Sequence, residues 1–320
     1  MRLSLRRYIV MIRKGFGLSA VVALLALLAA ATFGAKILQY KFSSAGEFPG
    51  APLTIPLADS LTQIAGYYIV SPGPDGQFGY VQTALEKSRT PFLSLQPPGG
   101  WFAFAAGVNN HGIVVGGSCV PPQQCNYPET TNGFSYSNGV FTAINYPGAL
   151  STGAFGINDL GQIVGGYCLT VTVCGQSQIA TDHGFLDSNG TFTELDYPGA
   201  RNTQAMAINK TGVIVGEYDD PITGGPHSFL YQNGQYKIID FPGALSTHAS
   251  AINNAGVVAG YYELPTAQVL GFIYNKGQFY TVMHLGPSTG LSGINDRDII
   301  VGTYSPPIGL QLTFKGVPIK

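Results

Sequence analysis

The chain has 320 residues, of which 45% are hydrophobic and only 10% charged. An average soluble domain carries about 25% charged residues, so this surface relies on Ser, Thr, Asn, Gln, Gly and Tyr. Aromatics at 12% exclude disorder, because such a chain buries enough to offset its conformational entropy, while 43 Gly and 21 Pro call for the many tight turns of an all-β protein.

Residues 1–35 stand apart. Arg2, Arg6, Arg7, Arg13 and Lys14 precede an uncharged apolar run from Gly15 to Ala35. This is the pattern of a signal peptide or an N-terminal transmembrane anchor helix with its basic end in the cytoplasm. Ala29-Ala30-Ala31 offers a small-x-small cleavage site, and the 21-residue run is also long enough to span a bilayer. Cleavage and retention both stay open. Everything after about Lys36 is expected outside the cytoplasm, either secreted or held in the inner membrane by residues 15–35. Removing residues 1–35 leaves 11 basic against 17 acidic residues, a balance of −6. Such a domain has no electrostatic footprint for nucleic acid, and membrane contact is expected only through the N-terminal segment.

Residues 36–50 read as a linker, and 51–320 as tandem repeats. The clearest phrase is Ala205-Met206-Ala207-Ile208-Asn209-Lys210-Thr211-Gly212-Val213-Ile214-Val215-Gly216. Close copies run from Gly156 to Gly165 and from Ala251 to Gly260, and looser ones from Val108 to Gly116, from Ile294 to Gly302, and from Ala58 to Gly66. The closing glycines Gly66, Gly116, Gly165, Gly216, Gly260 and Gly302 are spaced by 50, 49, 51, 44 and 42 residues. That period dictates architecture.

Within one unit, 203–208 reads as a first strand. Asn209 to Gly212 reads as a turn whose Asn and Gly supply left-handed backbone, and 213–218 as a second strand. The third strand is 227–231, followed by an Asn233-Gly234 hairpin signal and a fourth strand at 236–241. The first two strands are small or apolar on both faces, as suits strands crowded near an axis. The fourth alternates, with Asn145, Asp196 and Asp240 at matching positions, as suits a protected outer edge. Four strands per 40–50 residues predict a six-bladed β-propeller of four-stranded blades, each running from inner to outer. Ring closure by a shared blade of N- and C-terminal strands remains open.

The Gly/Ala-Ile-Asn-x-x-Gly-x-Ile-Val-Gly phrases and the Phe-Leu-Tyr-x-x-Gly strands resemble the HAF repeats of a family of probable extracellular proteins. The eponymous triplet is present only as His183-Gly184-Phe185 and His227-Ser228-Phe229. The resemblance covers about residues 53–315, and it implies a repeat scaffold without implying an activity.

Cys119 and Cys125 are spaced C-x5-C, as are Cys168 and Cys174, each pair starting three residues after a closing glycine. The expected disulfides are Cys119–Cys125 and Cys168–Cys174. Structural zinc favours shorter spacing and nearby His. Asn109, Asn158, Asn209, Asn253 and Asn295 recur at the turn, where each has a structural explanation. Thr152, Thr203, Thr247 and Thr289, five residues before the repeat's Ile, are candidate channel-lining residues. His183 and His227 fall in adjacent repeats, but Asn132 and Leu270 occupy the equivalent places elsewhere, so no metal ring is expected. Asp59, Asp159 and Asp296 sit at or beside the turn position. Asn189 and Asn209 match a glycosylation pattern that is frequent by chance.

No catalytic, cofactor or metal constellation is found. The expectation is an extracytoplasmic binding or surface-interaction module for a carbohydrate or protein ligand, with a Tyr- and Asn-rich surface suited to that contact. The alternative is a lyase or hydrolase that works in the propeller funnel, which requires acids, bases or histidines converging there.

Overall fold

The computed structural model describes residues 36–69, 77–83, 92–100, 102–119, 131–169, 182–222, 224–284, 287–306 and 311–319. Short strands β1 (Lys36–Ile37) and β2 (Tyr40–Ser43) open this part of the chain. Four separate four-stranded sheets follow. The first holds β3 (Leu53–Asp59), β4 (Gln63–Ile69), β5 (Gln77–Thr83) and β6 (Leu93–Leu95), and the second β7 (Phe102–Val108), β8 (Val114–Cys119), β9 (Asn132–Ser137) and β10 (Val140–Ile144). The third holds β11 (Ser151–Ile157), β12 (Ile163–Cys168), β13 (Asp182–Ser188) and β14 (Thr191–Leu195). The fourth holds β15 (Thr203–Ile208), β16 (Ile214–Asp219), β17 (Pro226–Gln232) and β18 (Gln235–Ile238).

The rest forms a nine-stranded sheet with two halves. One is β19 (Ser246–Ile252), β20 (Val258–Glu263), β21 (Val269–Asn275) and β22 (Gln278–Val282), with β1 lying parallel on β22. The other is β23 (Ser288–Ile294), β24 (Ile300–Ser305) and β25 (Leu312–Pro318), completed by β2 antiparallel on β25. The parallel pairing of Val269 with Ser288 joins them. No described residue is helical; the expected N-terminal anchor helix lies outside the described residues. Among them, no helix is long and apolar enough to cross a membrane.

The innermost strands β3, β7, β11, β15, β19 and β23 each contact the next, and β23 contacts β3. The arrangement is therefore all-β and propeller-like, with the inner strands around a common axis. The reading of residues 36–50 as a linker is corrected here. Tyr40 pairs with Pro318 and Ser43 with Lys315, so the N-terminal segment supplies the outer strand of the last sheet. The first sheet has four strands of its own, so the shared element is this single strand. Composition hid it because four residues carry no readable period.

Burial follows strand order. β12 is buried throughout, whereas β18 is mostly exposed. The strand closing each phrase needs its glycine: a Cβ on Gly165 would collide with the Gly153 carbonyl oxygen and the Phe185 ring. The hairpins carry positive φ at both central residues, as in Asn189 (φ 55°) and Gly190 (φ 83°), the signature of tight turns that match strand twist.

The fourth strand ends earlier than its hydrophobic pattern implied. Phe241 leaves the sheet, is 2% exposed, and stacks on Tyr262 of β20 at 3.6 Å. The same bridge joins Tyr146 to Tyr167, Tyr197 to Tyr218, and Phe48 to Tyr68, at 3.6–3.7 Å. These stacks draw tyrosines away from the Tyr-rich surface expected from composition; Tyr68, Tyr167, Tyr218 and Tyr262 all lie in the core.

Candidate functional site

The axis is organised by the turn asparagines. None of the five has left-handed backbone; that falls to Gly112, Gly161, Gly212 and Gly256 and, in the last repeat, to Asp298. Each Asn instead works through its side chain. Asn209 Oδ1 accepts the N–H groups of Thr211 and Val213, both at 3.0 Å, and the other four bind i+2 and i+4 the same way. The Nδ2 groups then reach forward. Asn109 donates to the carbonyl of Asn158, Asn158 to Asn209, Asn209 to Asn253, and Asn253 to Asn295, at 3.0–3.3 Å. Asn295 closes the circle on Asp59 Oδ2 at 3.1 Å and the Ser60 carbonyl at 3.3 Å. One residue type thus shapes five of the six turns and ties each to the next sheet, which satisfies buried polar groups at both jobs. In the first turn, Ser60 Oγ accepts the N–H groups of Thr62 and Gln63.

Among the described residues, three compartments lie along the axis. The first is a chamber of about 510 Å³. An aromatic arc of Tyr67, Phe102, Phe104 and Phe155 lines one part of it, and Gln204, Ser250, Ser292 and Thr303 supply amide and hydroxyl groups. The inner strands build its floor by one device: in all six the pairing register slips once. The unopposed residues are Leu57, Ala106, Phe155, Met206, Ser250 and Ser292, and all six line the chamber. A bulge re-aims a side chain while leaving the strand on either side paired.

Beyond the floor lies a waist of about 70 Å³, and beyond that a polar vestibule of about 60 Å³. Val108, Ile157, Ile208, Ile252 and Ile294 line both spaces, and Asp59 takes the equivalent place in the first repeat. Asp59 is 8% exposed, and its Oδ1 has no hydrogen-bond partner. Burial pushes its carboxyl up to about 8, against the opposing pull of the Lys315 charge and the Asn295 amide.

The vestibule is closed across the axis by four side chains. Asn110 Nδ2 donates to Asp159 at 2.9 Å and Asp296 at 3.2 Å; Asn254 Nδ2 donates to Asp296 at 2.7 Å and Asp159 at 3.4 Å. Burial alone would raise the Asp159 carboxyl. The hydrogen bonds from Asn110 and Asn254 and the His111 charge outweigh it and hold the group below its ordinary range. Asp159 and Asp296 therefore serve a plug in which both carboxylates are already engaged.

The candidate channel threonines are elsewhere. Thr152, Thr203, Thr247 and Thr289 are at most 2% exposed. Their Oγ1 atoms accept the backbone N–H of Tyr146, Tyr197, Phe241 and His284 at 2.9–3.1 Å. They pin the stacked residue entering each sheet and do not line the channel. The sequence signal for the true floor was a variable residue flanked by small ones, as in Ala154-Phe155-Gly156 and Ala205-Met206-Ala207; it was read merely as strand.

Cys119 and Cys168 are disulfide-bonded and 2% exposed; Cys125 and Cys174 lie outside the described residues. His183 and His227 stay in separate sheets, each facing an aspartate of its own sheet, at 2.6 Å for Asp196 and 2.7 Å for Asp240. Asn209 is 3% exposed with its amide engaged, which removes it as a glycan acceptor; Asn189 sits at a hairpin tip with positive φ.

No family model matches the chain, and no curated protein matches it. Solved structures do. TolB from Acinetobacter baumannii aligns with a TM-score of 0.56 at 13% identity over 81% of this chain, which spans 64% of the TolB chain. The β-propeller domain of the Trilobed protease from Pyrococcus furiosus aligns at 0.48 and 10% identity, covering 83% and 94% of the two chains. A six-bladed β-propeller lectin from Aleuria aurantia aligns at 0.47 and 11%, covering 89% and 97%. These likenesses concern the fold alone.

Proposed function

We propose that the chain is a six-bladed β-propeller of HAF-type repeats, exported behind residues 1–35, that acts as a binding module through its axial chamber. The six-blade reading rests on the closed cycle of inner strands and on the two four-stranded sets within the large sheet, β19–β22 and β23–β25 with β2, beside which β1 lies as an extra strand. The export reading draws support from the basic-then-apolar N-terminus and from the oxidised state of Cys119 and Cys168.

One observation carries the binding reading: a chamber of about 510 Å³ with an aromatic arc on one part of its wall and amides and hydroxyls on another. That volume lies in the range of small-molecule sites, about 300–1,000 Å³. Its chemistry suits a neutral ligand with an apolar face and a hydroxyl-bearing edge, as a saccharide end group has. A hydrolase or lyase needs an acid and a base within reach of one substrate. Among the described residues, the chamber wall holds no carboxylate or imidazole. Asp59, Asp159 and Asp296 line the small vestibule instead, which favours binding over catalysis in the chamber.

The test is a glycan array probed with the full-length protein in detergent, followed by calorimetry on any hit. The expected result is a neutral glycan whose affinity falls at least about tenfold in Phe155→Ala, the size of effect of losing one well-packed aromatic contact. No glycan above background, or a hit insensitive to Phe155→Ala, overturns the carbohydrate reading. A protein ligand sensitive to the same substitution would replace it.

A further inference from the structure

The third and fourth sheets carry the same His–Asp pair, and the third adds to it. Phe185 pairs with Glu194, and Phe229 pairs with Ile238, so Glu194 and Ile238 hold equivalent positions. His183, Glu194 and Asp196 each place one ligand atom within 4.8 Å of the other two; no other group of three metal-ligating side chains is found among the described residues. Two atoms bound to one ion at about 2.1 Å each lie no more than about 4.2 Å apart. A tetrahedral ion at that distance sets its ligand atoms about 3.4 Å apart, so closing the set calls for rotation of the exposed Glu194 side chain and a wider His183–Asp196 separation than the present 2.6 Å.

A second difference between the sheets coincides with the first. In the fourth sheet, Asp240 Oδ1 accepts the Ser228 N–H at 3.1 Å. In the third, Asp196 Oδ1 is buried and has no partner. A buried carboxylate oxygen left unsatisfied costs free energy unless something else meets it. Glu194 is meanwhile oriented by the Tyr167 hydroxyl, which donates to Oε2 at 2.7 Å, and Tyr167 packs face to face with His183 at 5.1 Å. Among the described residues, an imidazole and two carboxylates come together in this way only in the third sheet, although the Tyr–His stack recurs in the fourth as Tyr218 on His227.

We propose that His183, Glu194 and Asp196 bind one first-row divalent transition-metal ion, such as Zn2+, on the outer part of the third sheet. One imidazole nitrogen with two carboxylates suits such an ion better than Ca2+, which takes six to eight oxygen ligands. The remaining positions fall to water. This site is separate from the axial chamber and independent of the binding role proposed for it.

The test is calorimetric titration of Zn2+ alone into tag-free full-length protein stripped with chelator. Wild type is expected to bind one ion per chain. Glu194→Gln keeps an oxygen for the Tyr167 hydroxyl and is expected to lower the affinity at least about tenfold, with the metal-free unfolding midpoint unchanged. His227→Gln, in the sheet lacking the third ligand, is expected to titrate as wild type. Absence of Zn2+ binding, a wild-type titration by Glu194→Gln, or an equal loss in His227→Gln would each overturn the assignment.

Discussion

Asn295 Nδ2 donates to Asp59 Oδ2 at 3.1 Å, joining the last inner strand to the first where the ring closes. At the four junctions from the second sheet to the sixth, the asparagine amide meets the carbonyl of the next asparagine. At the seam the acceptors are instead a carboxyl oxygen of Asp59 and the Ser60 carbonyl. Asn295 also caps its own turn through Oδ1. Asn295→Ala therefore strips both interactions and is expected to cost about 1–3 kcal/mol. Urea denaturation checks it, and an unchanged midpoint would show that the seam does not depend on this residue.

Asp59 makes stability depend on pH. Its carboxyl, raised to about 8 in the fold by burial, has an ordinary value near 4 in the unfolded chain. Between these values the folded protein holds a proton that the unfolded chain has released. The contribution is thus fully present below about pH 4 and is lost as pH rises through 8. Thermal midpoints are expected to fall across that window, and Asp59→Asn to flatten the profile. A wild-type profile that rises from pH 5 to 8, or the same slope in both proteins, contradicts this.

Thr247 accepts the Phe241 N–H at 2.9 Å in a fully buried setting. Thr247→Val keeps the shape and orphans that donor, with an expected loss of about 1–3 kcal/mol. Because Thr247 is away from the chamber wall, ligand affinity should not change. A parallel loss of affinity, measured on the folded variant, would restore the threonines as channel residues.

The paired cysteines predict a specific peptide map. Non-reducing digestion should yield Cys119 joined to Cys125 and Cys168 joined to Cys174, each loop stabilising by roughly 2 kcal/mol in the chain-entropy account. Cross-linked Cys119–Cys174 or free thiols in protein from its native compartment would contradict the pairing.

How far the sequence reached differs between backbone and axis. Strand order, the Asn-Gly hairpins and the inner-to-outer burial gradient were legible because each follows from local period and turn chemistry, as at Asn233-Gly234 and at β15 (Thr203–Ile208). The metal-ligating trio was not. Glu194 looks like an ordinary outer-strand charge until the hairpin brings it beside His183. The outer strand at Tyr40–Ser43 escaped notice for a similar reason: its partner lies at the far end of the chain.

By itself, the sequence determined the repeat, its period and the polarity of each strand, since those are properties of neighbours along the chain. Tertiary structure alone decided which residues face the axis. A one-residue bulge in every inner strand turns Leu57, Ala106, Phe155, Met206, Ser250 and Ser292 into the chamber floor and leaves Thr152 and its counterparts in the core. A slip of one residue exchanges the two faces of a strand, and hydrophobic alternation does not record where that slip occurs when the neighbours are mostly small, as at Ala105-Ala106-Gly107 and Ala249-Ser250-Ala251.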